Sequence, residues 1–279
     1  MVFPPGGLSG KGRTAGGFHR TLADRLYRVL YGTDHFLHVF SGVSESMILY
    51  ILRHGETRWN ITQRLQGTLD VPLNEKGRYL ADLTGQNMKD IPFTAAFSSR
   101  LKRTCETAGL ILQYNRCFLE NSPAFLAELP EEKKEGLAVD HGCGILRDAR
   151  LNEMALGSWE GMRVETLPGR GLKDYWIDRT AAGFPEGMEC ANDLLVRAKD
   201  FLGDITERPE LKERTVLAVT HGGLLRALLE VLGAGPELSR SLFMNCEAVR
   251  VEFDPAGRVV SMERKLFYDP ALAFKGETY

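Results

Sequence analysis

The chain predicts an α/β fold, a three-layer α/β/α domain whose sheet is largely parallel with an antiparallel edge strand. Two apolar runs carry the expectation. Ile48-Leu49-Tyr50-Ile51-Leu52 and Val216-Leu217-Ala218-Val219 are short, rich in β-branched or aromatic residues, and apolar on both faces, as buried parallel strands are. Strand-like and helix-like segments alternate between them, the pattern of a sheet covered on both sides. A third observation locates the chemistry. Each run stops at a His-Gly pair, Arg53-His54-Gly55 and Thr220-His221-Gly222. Ligands in open α/β sheets sit beyond the carboxyl ends of strands. Two such strands would bring two imidazoles to one crevice, where Arg-His followed by a residue without a Cβ suits a bound anion.

In chain order, residues 1–46 form an extension distinct from a domain at 47–279. Residues 1–17 are rich in Gly and Pro, a composition of disorder, and residues 18–31 have the spacing of a basic amphipathic helix. Three readings stand side by side: an Arg-rich, acid-poor transit peptide, a start codon placed too early with Met47 as the true start, or a helix packed on the domain surface. Gly6-Gly7-Leu8-Ser9-Gly10-Lys11 lacks the preceding strand, first Gly and following Ser/Thr of a phosphate-binding loop and is rejected as one.

Residues 56–73 read as a loop broken by Gly67 and Pro72. Asn74 is placed to cap a helix reaching about Lys89. Residues 94–97 read as a strand, with Ser98 or Ser99 as cap of a helix through about Leu112. Residues 113–150 fit no periodicity and read as an insertion, broken by Pro123, Pro130, a charge run at 131–135, Gly136, Gly142 and Gly144. A stretch this long is expected to be functional or disordered. Residues 172–180 read as a helix, as do 191–206 and 224–232, and 248–253 and 259–263 as two strands joined by a turn.

Composition narrows the function. With 279 residues, 43% hydrophobic and 26% charged, the chain is an ordinary globular protein. Its net charge of −2 invites neither nucleic acid nor an anionic membrane, and no apolar run reaches transmembrane length. Five scattered cysteines without a Cys-x-x-Cys pair argue for a reducing compartment and against a zinc site. A cytoplasmic location follows, or an organellar one if residues 1–46 are a transit peptide. The oligomeric state is left open.

The motifs then line up. Arg53-His54-Gly55-Glu56-Thr57 with Trp59-Asn60, Leu65-Gln66-Gly67 with Asp70-Val71-Pro72-Leu73, Ser99-x-Leu101-x-Arg103 with Thr107-Ala108, Leu151-x-Glu153 with Gly157-x-Trp159-Glu160-Gly161, Val219-Thr220-His221-Gly222-Gly223, and Asn245 follow one another across about 47–253. This ordered set resembles the histidine phosphatase superfamily, the phosphoglycerate mutase-like family. The resemblance implies a phosphoglycerate mutase-like sheet and a phosphomonoester hydrolase, with a phosphoglycerate mutase and a silent phosphate-binding module as alternatives. It implies that His54, neutral so that its attacking nitrogen has a lone pair, forms a phosphohistidine. Arg53 and Arg103 would clamp phosphate oxygens, and His221, cationic in the complex, would donate to the same group. Asn60, Gln66, Gly67 and Gly222 complete the phosphate-binding set. Glu153 would be the general acid and base, with Glu160 a rival carboxylate. Its pKa would have to rise for the acid role, and a dianionic phosphate nearby would push it that way.

No metal and no cofactor are expected, and the partner is a small-molecule phosphomonoester. The Trp-Glu-Gly at 159–161 resembles the phosphatase branches more than the mutases. Two departures from the family pattern stand out. Thr104 occupies the place of an alanine, and Met188-Glu189 follow Pro185-Glu186-Gly187 where Glu-Ser is usual.

Overall fold

The computed structural model describes residues 46–134, 137–140, 143–167 and 184–274. Nearly all of the extension and the helix read at 172–180 lie outside them.

The first apolar run forms β1 (Met47–Arg53), and the second forms β5 (Thr215–Thr220), every residue of which is buried. The two pair in parallel, with Arg53 opposite Thr220. On the other side of β5 lies β2 (Phe93–Ser98), also parallel, and beyond it β4 (Ile145–Asp148). The seven-stranded order is β3-β4-β2-β5-β1-β6-β7. Its four central strands are parallel. β6 (Ala248–Phe253) and β7 (Val259–Lys265) run as an antiparallel hairpin beside β1, and β3 (Leu137–Asp140) runs antiparallel to β4. The sheet therefore ends in antiparallel pairing on both edges, where the sequence indicated one.

Helices cover both faces. α1 (Arg58–Ile61) is one short turn after β1. On one face α2 (Glu75–Met88) and α3 (Lys102–Leu112) bring Met88, Ala108, Ile111 and Leu112 against Tyr50, Leu52, Leu217 and Val219. On the other, α6 (Ala191–Glu207) and α7 (Gly222–Val231) bring Leu194, Ala198, Phe201, Leu224 and Leu228 against Leu49, Ile51, Phe97, Val216 and Ala218. Alternate residues of each strand feed opposite cores, which is why these strands are continuously apolar.

The stretch at 113–150, unreadable as sequence, contains α4 (Arg116–Glu128), α5 (Glu131–Lys134), β3 and β4. Pro123 sits inside α4, whose Phe118 and Phe125 are buried, one in each core. Tertiary burial thus carries a helix through a residue that lacks the backbone donor, and local pattern could not show it. After β5 and α7 come α8 (Pro236–Ser239), the β6–β7 hairpin and α9 (Pro270–Phe274).

Two caps differ in their agreement with expectation. Asn74 caps α2 as read, its Oδ1 accepting from Gly77 N at 2.6 Å. Neither Ser98 nor Ser99 caps α3. Leu101 occupies the N-cap position without a side-chain bond, and Asp70 Oδ1 accepts from Lys102 N at 2.7 Å across 32 residues. An aspartate brought in by the 62–73 loop does what a local serine was expected to do.

Candidate active site

The register of β1 on β5 sets the site. Arg53 and Thr220 are partners, so the residues that follow, His54 and His221, emerge side by side at the carboxyl end of the sheet. His54 N donates to Thr220 O at 2.9 Å, and the two rings lie 5.1 Å apart by centroid. The expected convergence of two imidazoles is what the fold produces.

His54 is held from three directions. Gly55 N donates to Thr107 Oγ1 at 2.9 Å, Asn245 Nδ2 donates to His54 O at 2.8 Å, and His54 Nδ1 meets Gly55 O at 2.6 Å. A carbonyl oxygen only accepts, so Nδ1 carries the proton. Burial first, and then the Arg103 and Arg53 charges, push the His54 pKa well below the ordinary histidine value of 6.5. The imidazole is therefore neutral, with its lone pair on Nε2.

His221 is equally buried and its pKa is lowered well below 6.5, by burial first and then by Arg103, His54, Arg197 and Arg53. Arg103 Nε donates to His221 Nδ1 at 3.1 Å, and Nε2 lies 2.8 Å from Ser99 Oγ. The cationic His221 expected for the complex is thus not the state of the free site. Its ring is neutral and both nitrogens are engaged.

The two arginines lie beside this pair, Arg103 buried and Arg53 half-buried. Arg103, wholly buried, gives Nη1 to Leu69 O at 2.7 Å and Nη2 to Gly67 O at 2.8 Å. Burial lowers its pKa to about 10 against the opposing pull of Glu153 and Asp70, which leaves it charged near neutral pH. Arg53 gives Nη1 to Phe243 O, and its Nε is buried with no partner. A buried donor without an acceptor is costly, and this one lies beside Gly222, whose added Cβ would come within 3.8 Å of it.

Among the neutral candidates, Asn60 Oδ1 accepts from Thr57 N at 3.0 Å and from Thr57 Oγ1 at 3.1 Å, closing a reciprocal cap on α1. Gln66 Oε1 is buried without a partner. Gly67 has φ +51°, and a Cβ there would strike Glu160 Oε1 at 2.1 Å, so the position requires glycine. Its carbonyl is an Arg103 anchor.

The two carboxylates separate by partner. Glu153 follows a single 3-10 turn at Ala149–Leu151, which Thr220 Oγ1 ties to β5 by donating to Leu151 O at 2.8 Å. Glu153 Oε1 accepts from Met154 N at 3.0 Å and Leu224 N at 3.2 Å, and Oε2 accepts from Gly223 N at 3.2 Å. The carboxylate thus sits at the positive N-terminal end of α7, and its charge reaches both Arg53 and Arg103. Glu160 accepts instead from Thr68 N at 2.8 Å, Thr68 Oγ1 at 2.9 Å and Leu156 N at 3.1 Å. It binds two loops together.

Histidine, two arginines, a second histidine and a carboxylate thus meet at one strand end. Residues 49–129 and 132–264 match the histidine phosphatase superfamily, branch 1. The chain belongs to that superfamily.

Within it, the probable phosphoglycerate mutase GpmB of Proteus mirabilis is 30% identical over 211 residues, covering 74% of this chain and 84% of that protein. A protein of the same description from Salmonella choleraesuis is 30% identical over 209 residues, at 74% and 84% coverage. Among solved structures, Bacillus stearothermophilus YhfR superposes with a TM-score of 0.57 at 28% identity, covering 76% of this chain and 93% of that one. A mycobacterial glucosyl-3-phosphoglycerate phosphatase in complex with VO3 gives a TM-score of 0.55 at 25% identity, with coverage of 79% and 96%. Histidine phosphatase relatives of this chain thus carry both mutase and phosphatase names.

Several residues that shape this candidate site were not assigned that part from sequence. Ser99 was expected as a helix cap rather than as a partner of His221, and Thr107 matched the motif without a role. Thr220 stood inside a motif without one. Gly223 leaves room for the acid, since a Cβ there would stand 2.5 Å from Glu153 Oε1 and displace it. Arg197 of α6 holds the acid-bearing segment, donating Nη1 to Arg150 O at 2.8 Å and Asn152 O at 2.7 Å, and pairs with Glu189 at 2.6 Å. The doubled glycine after His221 was a signal that could have found Gly223. Arg197 had none, lying in an ordinary helical pattern. Among the described residues no three His, Cys, Asp or Glu side chains gather to hold a metal ion, and no helix is long and apolar enough to cross a membrane.

Proposed function

We propose that the chain is a metal-independent phosphomonoester hydrolase working through a phosphohistidine on His54. One observation carries the reading. His54 spends its only proton on Gly55 O, so Nε2 offers a lone pair in a buried neutral ring beside two arginines. That is the state a nitrogen nucleophile needs. Phosphoryl transfer otherwise asks for positioning and for donors to the equatorial oxygens. Arg53, whose Nε lacks an acceptor, and Arg103 would supply them, with Asn60, Gln66, Gly67, His221 and Gly222 around the same oxygens.

In the first step the Nε2 lone pair forms a bond to phosphorus and the ester P–O bond breaks. The departing alkoxide takes a proton from the Glu153 carboxyl. In the second step water attacks phosphorus, passes a proton to the Glu153 carboxylate, and the P–N bond breaks, returning the lone pair to Nε2. Glu153 rather than Glu160 takes this role because its charge reaches both arginines, whereas Glu160 is spent on Thr68 and Leu156.

Phosphatase rather than mutase is supported by where the 113–150 stretch goes. A mutase must keep water from the phosphoenzyme. Much of this stretch is consumed by α4, β3 and β4, which extend the sheet and its flank. The mutase reading stays in play because of the relatives named probable phosphoglycerate mutase.

The test uses purified full-length chain with labelled p-nitrophenyl phosphate. Expected are phosphate release undiminished in excess chelator and a trapped phosphoenzyme that is labile in acid, stable in alkali and absent in His54→Ala. Acid-stable label, label surviving His54→Ala, or chelator loss restored by a divalent ion would overturn the mechanism. Interconversion of 2- and 3-phosphoglycerate with a bisphosphoglycerate primer, at rates above phosphate release, would reassign the chain as a mutase.

A further inference from the structure

The departure at Thr104 has a structural consequence. Thr104, Ser99, Arg103 and His221 are all fully buried, and their polar atoms form one chain. An arginine Nε only donates, so the 3.1 Å contact from Arg103 Nε makes His221 Nδ1 an acceptor. A neutral imidazole then carries its proton on Nε2 and donates it to Ser99 Oγ at 2.8 Å. Leu101 N donates to the same oxygen at 3.2 Å. With both lone pairs taken, Ser99 Oγ has only its proton to give, and Thr104 Oγ1 lies 2.7 Å away. Thr104 in turn donates to Leu101 O at 2.8 Å. Every donor in the chain meets an acceptor, and the direction of each bond follows from the arginine at its head.

We propose that Thr104 is a positioning residue that, by accepting the Ser99 proton, fixes His221 as the Nε2–H tautomer with Nδ1 turned to Arg103. Without the Thr104 oxygen, the Ser99 proton would be buried with no acceptor, a state that costs free energy. The hydroxyl would relieve it by donating to His221 Nε2. That drives the imidazole proton to Nδ1, where it opposes the Arg103 N–H. The histidine and the arginine would then lose their shared geometry together. Protonation of His221 is blocked in the free site for the same reason: a proton on Nδ1 faces the Arg103 donor. The charged and titratable groups around it are Arg103 on α3, Arg53 and His54 after β1, and Arg197 on α6. His221 can become a cation only as Arg103 turns to another acceptor, such as a phosphate oxygen.

The test is nitrogen NMR of the histidine side chains in the full chain, with the His221 signals assigned by their loss in His221→Gln. Expected at neutral pH is a protonated Nε2 and an unprotonated Nδ1 at His221. In Thr104→Val the two nitrogens should move toward averaged tautomers, and Thr104→Ser should restore the original pattern. This arm does not depend on what the enzyme does.

A second arm rests on the phosphatase reading. kcat/KM for phosphate release should fall about tenfold in Thr104→Val and recover in Thr104→Ser, with the acid limb of its pH profile displaced only in the valine variant. A protonated Nδ1 or a cationic His221 in the wild-type chain at neutral pH overturns the proposal. So does a Thr104→Val spectrum identical to wild type, whatever its activity. If the valine variant does not fold, Thr104→Ala carries the same comparison and the wild-type spectrum remains decisive. The expected spectra without any phosphate release would sustain the tautomer assignment and remove the phosphatase reading.

Discussion

Gly223→Ala separates the position of Glu153 from the stability of the fold. Gly223 lies in the first turn of α7 without a positive φ, so alanine suits its backbone. The new Cβ, however, would stand 2.5 Å from Glu153 Oε1 and 3.1 Å from Met154 Sδ. Ordinary carbon contacts begin near about 3.5 Å, so the carboxylate must retreat by about 1 Å. Its bonds from Gly223 N and Leu224 N are already 3.2 Å long, and that retreat carries them out of hydrogen-bond range. The bond from Met154 N, at 3.0 Å, can survive. Two lost bonds at a partly exposed seat cost roughly 1 kcal/mol each, and replacing glycine in a helix returns about 0.5–1 kcal/mol, so stability should fall by only about 1 kcal/mol.

Activity should fall far more, because a positioned acid/base contributes about 10²–10⁴-fold and a displacement of about 1 Å can forfeit about 10²-fold. The assay compares kcat/KM on an alkyl phosphate with that on p-nitrophenyl phosphate. The alkyl leaving group needs the Glu153 proton, and nitrophenolate leaves as the anion. A drop of about 10²-fold on the alkyl substrate, with a smaller one on the aryl substrate, is expected. A folded Gly223→Ala chain with wild-type kcat/KM on both would refute the placement of Glu153 as the acid. Gly203→Ala, in α6 with nothing within 4 Å of the added Cβ, is the control. It should gain about 0.5–1 kcal/mol with unchanged activity.

Two further outcomes follow from the same contacts. His54 and His221 both have folded pKa values well below 6.5, so the unfolded chain binds more protons than the folded one once the pH drops past that value. The stabilisation they contribute is complete above pH 6.5 and is lost as the pH falls toward the folded pKa values, at up to about 1.4 kcal/mol per pH unit for each. Urea midpoints at pH 7.5 and 5.5 measure this slope. It should flatten in His54→Gln and in His221→Gln, and a slope unchanged in both would contradict the neutral buried pair. Glu160→Gln should leave Thr68 N and Leu156 N with a weaker acceptor. It should destabilise the chain by roughly 1–2 kcal/mol, read from denaturant midpoints, and loosen Arg103 through the loop bearing Gly67 and Leu69. KM should then rise more than kcat falls.

Much of the fold was legible because its information is local. A buried parallel strand must be apolar on both faces, so β1 and β5 stand out as runs, and Asn74 announces α2 by a cap that closes within three residues. The pairing of His54 with His221 was legible for a related reason: each follows a buried, parallel-type strand, and parallel strands of one sheet end at the same edge.

What the tertiary structure decided involves partners far apart in sequence. Asp70 caps α3 and Ser99 turns to His221, because the loop carrying Asp70 folds back over the helix start and leaves the serine free for the imidazole. α4 runs through Pro123 because Phe118 and Phe125 are buried in different cores, a stabilisation invisible to local periodicity. The neutral state of His221 is favoured first by its burial and then by the charge of Arg103, 118 residues away. Sequence names the residues that can do phosphoryl chemistry. Only the folded chain sets the partner of each ring nitrogen, Gly55 O for His54 and Arg103 Nε for His221, and with it which nitrogen holds a proton.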